Sequence, residues 1–230
     1  MKYLFLLVPA LFLIVGCKTF EPPKSLPVGT WNYKLFMNGS EMGNASITFA
    51  ETSNLYISTI VMSISAGDTQ STTKEIVTET KTFVPVKYET YNQITRNGIT
   101  QNIDTVAIFN EKEITVKSNG QTARIIIDKP FVLPGNYLMK ALLDKGYGKN
   151  SSVEVEIYSP LLELEDTVSA KQVVIGTENI EINGIREELL HMKGITADFQ
   201  ESDIYIDSNG VLHKARILML NNLIELVIEK

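Results

Sequence analysis

Polar and apolar residues alternate with a period of two along most of this chain. Trp31, Tyr33, Leu35 and Met37 alternate with Asn32 and Lys34, and Ala45, Ile47 and Phe49 alternate with Ser46 and Thr48. Val153, Val155 and Ile157 are spaced by Glu154 and Glu156. Val211, Ala215 and Ile217 are spaced by Leu212, Lys214 and Arg216. Ile224, Leu226 and Ile228 stand against Glu225 and Glu229 at the C-terminus. A strand with one apolar and one wet face belongs to an antiparallel sheet, because parallel sheets are covered on both faces. Five Asn-Gly pairs, at 38–39, 97–98, 119–120, 183–184 and 209–210, sit between such runs. Both residues accept the positive φ of a type I′ turn, so each pair predicts a hairpin. Threonine, isoleucine and valine are frequent over residues 45–127, as strands favour.

One segment breaks the period. Leu138, Ala141 and Leu142 recur at i, i+3 and i+4, Pro134 suits a helix start and Gly146 a C-terminal cap. Lys140 and Asp144 fall on the other side. The pattern predicts a mainly β protein: one curled antiparallel meander of about ten to twelve strands, a half-barrel or open barrel, around a single helix near 134–145. A sheet this long twists and must curl or close.

In Leu55–Ile64 both strand faces are apolar. A strand covered on both sides accounts for this. The alternative is that Tyr56, Ile60 and Met62 line a hydrophobic cavity under the helix with Leu138 and Leu142, a place for a lipid or acyl chain.

The N-terminus is different in kind. Lys2 precedes thirteen mostly apolar residues, Tyr3–Val15, which is too short for a membrane span but suits the core of an export signal. The stretch closes on Ile14-Val15-Gly16-Cys17, and Cys17 is the only cysteine. This resembles the lipobox of a bacterial lipoprotein signal peptide. The resemblance implies cleavage after residue 16, a diacylglyceryl group on Cys17 and a membrane anchor without a transmembrane helix. Lys18 is not the aspartate associated with inner-membrane retention, which favours the outer membrane where there are two. Residues 17–28 then comprise the lipidated cysteine and a tether stiffened by Pro22, Pro23 and Pro27. Its eleven residues after Cys17 span at most ~35–40 Å. Residues 29–230 form one β-domain.

Composition narrows the partners. The formal charge is −6, and loss of Lys2 with residues 1–16 leaves −7. An acidic domain argues against nucleic acid and against docking on anionic lipid heads. With Cys17 spent on lipid no disulfide is available, so stability rests on burial.

The layout as a whole resembles an exported bacterial family of unknown function. The residues that carry the likeness are Tyr33-Lys34-Leu35 with Asn38-Gly39 and Gly43, Val84-Pro85-Val86-Lys87-Tyr88, and Asp207-Ser208-Asn209-Gly210-Val211 followed by Lys214. It implies a half-barrel similar to that of the lipoprotein carriers LolA and LolB, and it brings no catalytic residues.

Candidate chemistry is sparse. Ser71-Thr72-Thr73-Lys74 matches the Ser-x-x-Lys of penicillin-binding enzymes, but it sits in a strand-like stretch and its partner motifs are missing. His191 and His213 are the only histidines, on separate expected strands and with no free cysteine, so no convergent set of zinc ligands stands out; His213 shares an expected strand face with Val211, Ala215 and Ile217 and reads as a core histidine or, alternatively, the lip of a pocket. The Asp207–Gly210 run lacks the glutamate of a calcium loop and reads as a turn. Glu163, Glu165, Asp166, Glu187 and Glu188 offer carboxylates with nothing to pair them as acid and base. The expectation is a non-enzymatic, lipid-anchored envelope binding or scaffold module with no cofactor and no metal, its partner an envelope protein or a lipid. A hydrophobic-ligand half-barrel is the second reading and a hydrolase the third.

Overall fold

A computed structural model describes residues 20–229 except 111, 112, 164 and 198. Cys17 lies outside the described residues. The strands are β1 (Gly29–Met37), β2 (Ser40–Glu51), β3 (Leu55–Ala66), β4 (Thr69–Thr80), β5 (Pro85–Arg96), β6 (Ile99–Asn110), β7 (Glu113–Ser118) and β8 (Gln121–Ile126). The helix α1 (Tyr137–Asp144) follows, then β9 (Ser152–Ile157), β10 (Val168–Ile182), β11 (Ile185–Thr196), β12 (Gln200–Ile206), β13 (Leu212–Met219) and β14 (Asn222–Ile228).

All fourteen belong to one antiparallel sheet, ordered β8-β7-β6-β5-β4-β3-β2-β1-β14-β13-β12-β11-β10-β9. The chain meanders outward to β8, crosses to the opposite edge and meanders back until β14 pairs with β1 through Tyr33↔Ile228 and Leu35↔Leu226. β8 and β9 remain edges, so the sheet is curled and open. Four of the Asn-Gly pairs form the expected turns, with both φ angles positive, 50° and 83° at Asn38-Gly39 for example. The fifth does not. Asp207 Oδ1 accepts from the backbone N–H groups of Asn209 and Val211, 2.9 Å each, which makes a longer side-chain-supported loop. The count exceeds the expected ten to twelve because other hairpins turn without Asn-Gly, as at Leu220-Asn221, both with positive φ.

The helix starts at Tyr137 rather than at Pro134. The intervening residues are spent on the sheet: Asn136 Nδ2 donates to Ser58 Oγ at 2.8 Å, and Gly135 lies so close to Glu79 that an added Cβ would stand 2.7 Å from its Oε2. At the other end Gly146, at φ 65°, donates its N–H to Leu143 O.

The core has three parts. Leu142 of α1, fully buried, packs with Val153, Val174, Leu190, Met192 and Ile206. Val77, Tyr88, Ala107, Ile114 and Tyr158 fill the space between β4–β8 and the residues after β9. Tyr33, Ala45, Ile182, Leu189 and Ile228 form the third cluster, where Asn183 at the tip of the β10–β11 hairpin donates to Ile228 O at 2.8 Å.

The segment read as a tether is docked from residue 20 onward. Phe20 packs against the α1 cluster and Pro23 is buried. Gly210 can be approached this closely only because it lacks a Cβ, which would meet Pro27 Cδ at 3.2 Å and Pro23 Cβ at 3.5 Å. The prolines leave the segment little conformational freedom to lose, so modest apolar contact suffices to hold it.

Candidate functional site

A cleft of about 1640 Å³ lies where β1 begins and β2 ends. Residues 20–28 form one wall, α1 contributes Lys140 and Leu143, and Trp31, Tyr56, Glu188 and Val211 complete the lining. The wall at Tyr56 is backed by a chain of aromatic rings. Its ring lies 5.3 Å from that of Phe49 and 5.2 Å from that of Phe83, and Phe83 meets Tyr137 of α1 edge-on at 5.5 Å. Lys81 Nζ stands 4.0 Å over the Tyr56 ring and 2.6 Å from Glu51 Oε2. The lining sets aromatic and proline surface beside charged side chains, Glu51, Lys140, Asp144 and Glu188 among them, a mixture that suits binding.

Of the five residues expected to line a hydrophobic cavity, only Tyr56 reaches this cleft. Leu142 and Leu138 belong to the core under the helix, where the helix stripe and the inner sheet face fill each other's space. Met62 packs against the Tyr33 cluster, and Ile60 sits between Ile47 and Glu75 in the sheet, away from the cleft wall. Trp31, the single tryptophan, and the Phe20–Val28 wall were not foreseen; the lone tryptophan beside a proline-rich stretch was the available signal.

Titratable groups are dispersed. Ser71 and Lys74 are three apart on β4 and so point to opposite faces, which removes the Ser-x-x-Lys reading. Each histidine is clasped by two carboxylates. His191 Nδ1 is 3.2 Å from Glu178 Oε2 and Nε2 is 2.7 Å from Asp203 Oδ1, while its ring stacks on Tyr205 at 4.6 Å. His213 Nδ1 is 2.7 Å from Glu187 Oε2 and Nε2 is 3.5 Å from Asp207 Oδ2. His213 is not a core residue on the Ala215 face, because the pairing shifts between Tyr205 and Ile206 and leaves it as the extra residue between Leu212 and Lys214. The His191 clasp ties the β10–β11 hairpin to β12, and the His213 clasp ties β11 to β13 and the loop before it. Among the described residues no group of histidine, cysteine and carboxylate is arranged to hold a metal.

Hydrogen bonding to Asp207 raises the His213 pKa against the opposing effect of burial, and Glu187 adds to the rise. A raised folded value gives stability that is complete below the ordinary 6.5 and lost as pH climbs through the folded value. His213→Gln should therefore cost about 1 kcal/mol more at pH 6 than at pH 9 in thermal unfolding, since the site is partly solvated. An equal cost at both pH values would contradict the clasp.

A second set of polar groups lies on the inner face of β4 and β5. Glu79 is 1% exposed, its Oε1 has no hydrogen-bond partner among the described residues, and burial pushes its pKa up to about 8 despite a hydrogen bond from the Leu133 backbone. Burial pushes Glu75, whose carboxyl is enclosed although part of the side chain stays exposed, up to about 7, opposed by a hydrogen bond from Tyr88. Neither lines the cleft.

No protein-family model matches the sequence, and no curated protein sequence matches it. Among solved structures, a β-barrel-like protein of the domain of unknown function DUF1849 from Brucella abortus superposes with a TM-score of 0.67 at 10% identity, over 89% of this chain and 97% of that one. A protein described as a candidate lipoprotein from Parabacteroides distasonis covers 92% of this chain and 98% of its own at 12% identity, with a TM-score of 0.34. At these identities the likeness concerns fold alone, and the fold this chain shares with the Brucella protein is an open, β-barrel-like antiparallel sheet.

Proposed function

We propose that the chain is an exported, lipid-anchored β-domain that binds a protein or lipid of the bacterial envelope in its cleft and carries out no chemistry on it. The observation that carries the reading is the position of the cleft. Its wall begins at Phe20, three residues after Cys17, so a lipid on Cys17 would hold the cleft within ~10 Å of the bilayer surface. Diacyl attachment gives stable anchoring, at ~0.8 kcal/mol per buried methylene. The dispersal of the histidines and the absence of Glu75 and Glu79 from the lining support binding over catalysis. Lys18 favours the outer membrane where two exist.

Two measurements test it. Labelling with a fatty-acid analogue in a bacterial host should mark the wild type and leave Cys17→Ala unlabelled; label on the alanine variant ends the anchor. Native mass spectrometry of the full chain after incubation with envelope extract should show a bound species that Trp31→Ala and Tyr56→Ala each weaken. Binding unaffected by both variants would remove the cleft from the proposal.

A further inference from the structure

The two sheet edges are treated differently. β9 is shielded: Val132 bridges to Ile157, its N–H donating to Glu156 O at 2.9 Å and its carbonyl accepting from Tyr158 N–H at 3.0 Å. Lys145 Nζ covers the other end, donating to Ser152 O at 2.5 Å. β8 has no comparable cover among the described residues. The two-residue turn at Asn119-Gly120 makes Ser118 and Gln121 a hydrogen-bonded pair. By the alternation of an antiparallel ladder, Gln121, Ala123 and Ile125 spend their backbone groups on β7. Thr122, Arg124 and Ile126 therefore aim their N–H and C=O groups away from the sheet. Exposed edges are ordinarily blunted by proline, bulges or several charges. β8 carries one charge, no proline and no bulge.

What fits this edge is written in its own side chains. Exposure alternates from Arg124 through Asp128, with Arg124, Ile126 and Asp128 outside and Ile125 and Ile127 buried. Ile126 is 68% exposed. The Arg124 side chain is 76% exposed and meets Glu113 only at 3.9 Å. Cation, apolar group and anion at i, i+2 and i+4 are complementary to themselves when two copies run antiparallel about Ile126. Each Arg124 then faces Asp128 of the other copy, with the two Ile126 side chains between. Shifting the centre to Arg124 would set arginine against arginine, which cross-strand pairing disfavours. Pro130 ends the ladder just beyond.

We infer that β8 is a homodimer edge: two copies of this chain join through antiparallel β8–β8 pairing centred on Ile126, with reciprocal Arg124–Asp128 contacts fixing the register. The symmetry is isologous, so the assembly stops at two. The inference does not depend on the cleft or its ligand.

The register has a direct chemical readout. In a hydrogen-bonded antiparallel pair facing Cα atoms lie ~5.5 Å apart, within disulfide range. Ile126→Cys in the full-length chain, oxidised mildly in the envelope, should give a covalent dimer as its main species. Thr122→Cys, which would face Pro130, should not, and because both variants keep Cys17 it also controls for that residue. Adding Arg124→Asp to Ile126→Cys should abolish the dimer, and adding Asp128→Arg as well should restore it. Melting temperatures identify any variant that fails to fold, and the restored double reversal keeps the test decisive. The inference is overturned by dimer no greater than that of Thr122→Cys, by dimer indifferent to the reversals, or by crosslinking to a different protein.

Discussion

Glu79→Gln should make the protein more stable at neutral and alkaline pH and flatten its loss of stability as pH rises. The side chain sits on β4 opposite Tyr56, 1% exposed, with one oxygen accepting from the Leu133 backbone and Oε1 lacking a partner among the described residues. Burial without full pairing disfavours the charged form, which is why the folded pKa stands at about 8 against an ordinary 4.5. The sign follows from proton counting. Between those values the folded state holds a proton that the unfolded chain has released, so stability falls as pH rises, and above about pH 8 the penalty is complete. The shift from 4.5 to about 8 corresponds to a penalty on the order of 5 kcal/mol. Below pH 4.5 both states are protonated and the penalty vanishes. Glutamine keeps an acceptor for Leu133 and cannot ionise. Denaturant unfolding at pH 4.5, 7 and 8.5 should show a gain that grows along that series, with the slope left by Glu75 ending nearer pH 7. A variant no more stable than wild type at pH 8.5 would refute the assignment.

Gly43→Ala is the largest loss expected from a single methyl group. Gly43 lies in β2 opposite Ile64, and a Cβ there would stand 1.9 Å from Ser63 O and 2.9 Å from Ser63 C. These are backbone atoms of β3, and β3 is held on its far side by β4, with Ser63↔Thr72 and Ile64↔Ser71 in register. Neither strand can yield without breaking ladder bonds. The cost should be about 3 kcal/mol or more, or ~6–12 °C in melting temperature for a domain of this size. Gly39→Ala is the matched comparison. Gly39 has φ 83° in its turn and nothing within 4 Å of an added Cβ, so only the left-handed backbone is penalised, at about 1 kcal/mol. Equal melting temperatures for the two variants would refute the steric account.

Local features of this fold were legible because their causes are local. Asn-Gly accepts positive φ wherever it stands, and four of the five pairs turn as expected. The exception at Asn209-Gly210 arises where Asp207, two residues earlier, captures the backbone N–H groups with its carboxylate. The helix was visible in the spacing of Leu138, Ala141 and Leu142, but its start slid to Tyr137 because Gly135 and Asn136 are claimed by Glu79 and Ser58. The candidate site was less legible. Tyr56 was named and lines the cleft, whereas Leu138 and Leu142 became core because the space beneath the helix is filled from β9–β12. His213 sits at a bulge, and alternation cannot announce an extra residue.

The sequence by itself determined the class of structure: alternation, β-branched content and turn pairs leave an antiparallel meander with one helix as the economical solution, and the lipobox-like N-terminus sets an expected address. Tertiary structure decided everything that depends on residues distant in the chain. It paired β1 with β14, docked residues 20–28 on the domain, brought Leu133 onto Glu79 and shielded β9 while, among the described residues, leaving β8 uncovered. The reason is physical. Periodicity and turn propensity act over a few bonds and are written residue by residue, whereas these contacts depend on loop closure, twist and the space left after every other side chain has packed.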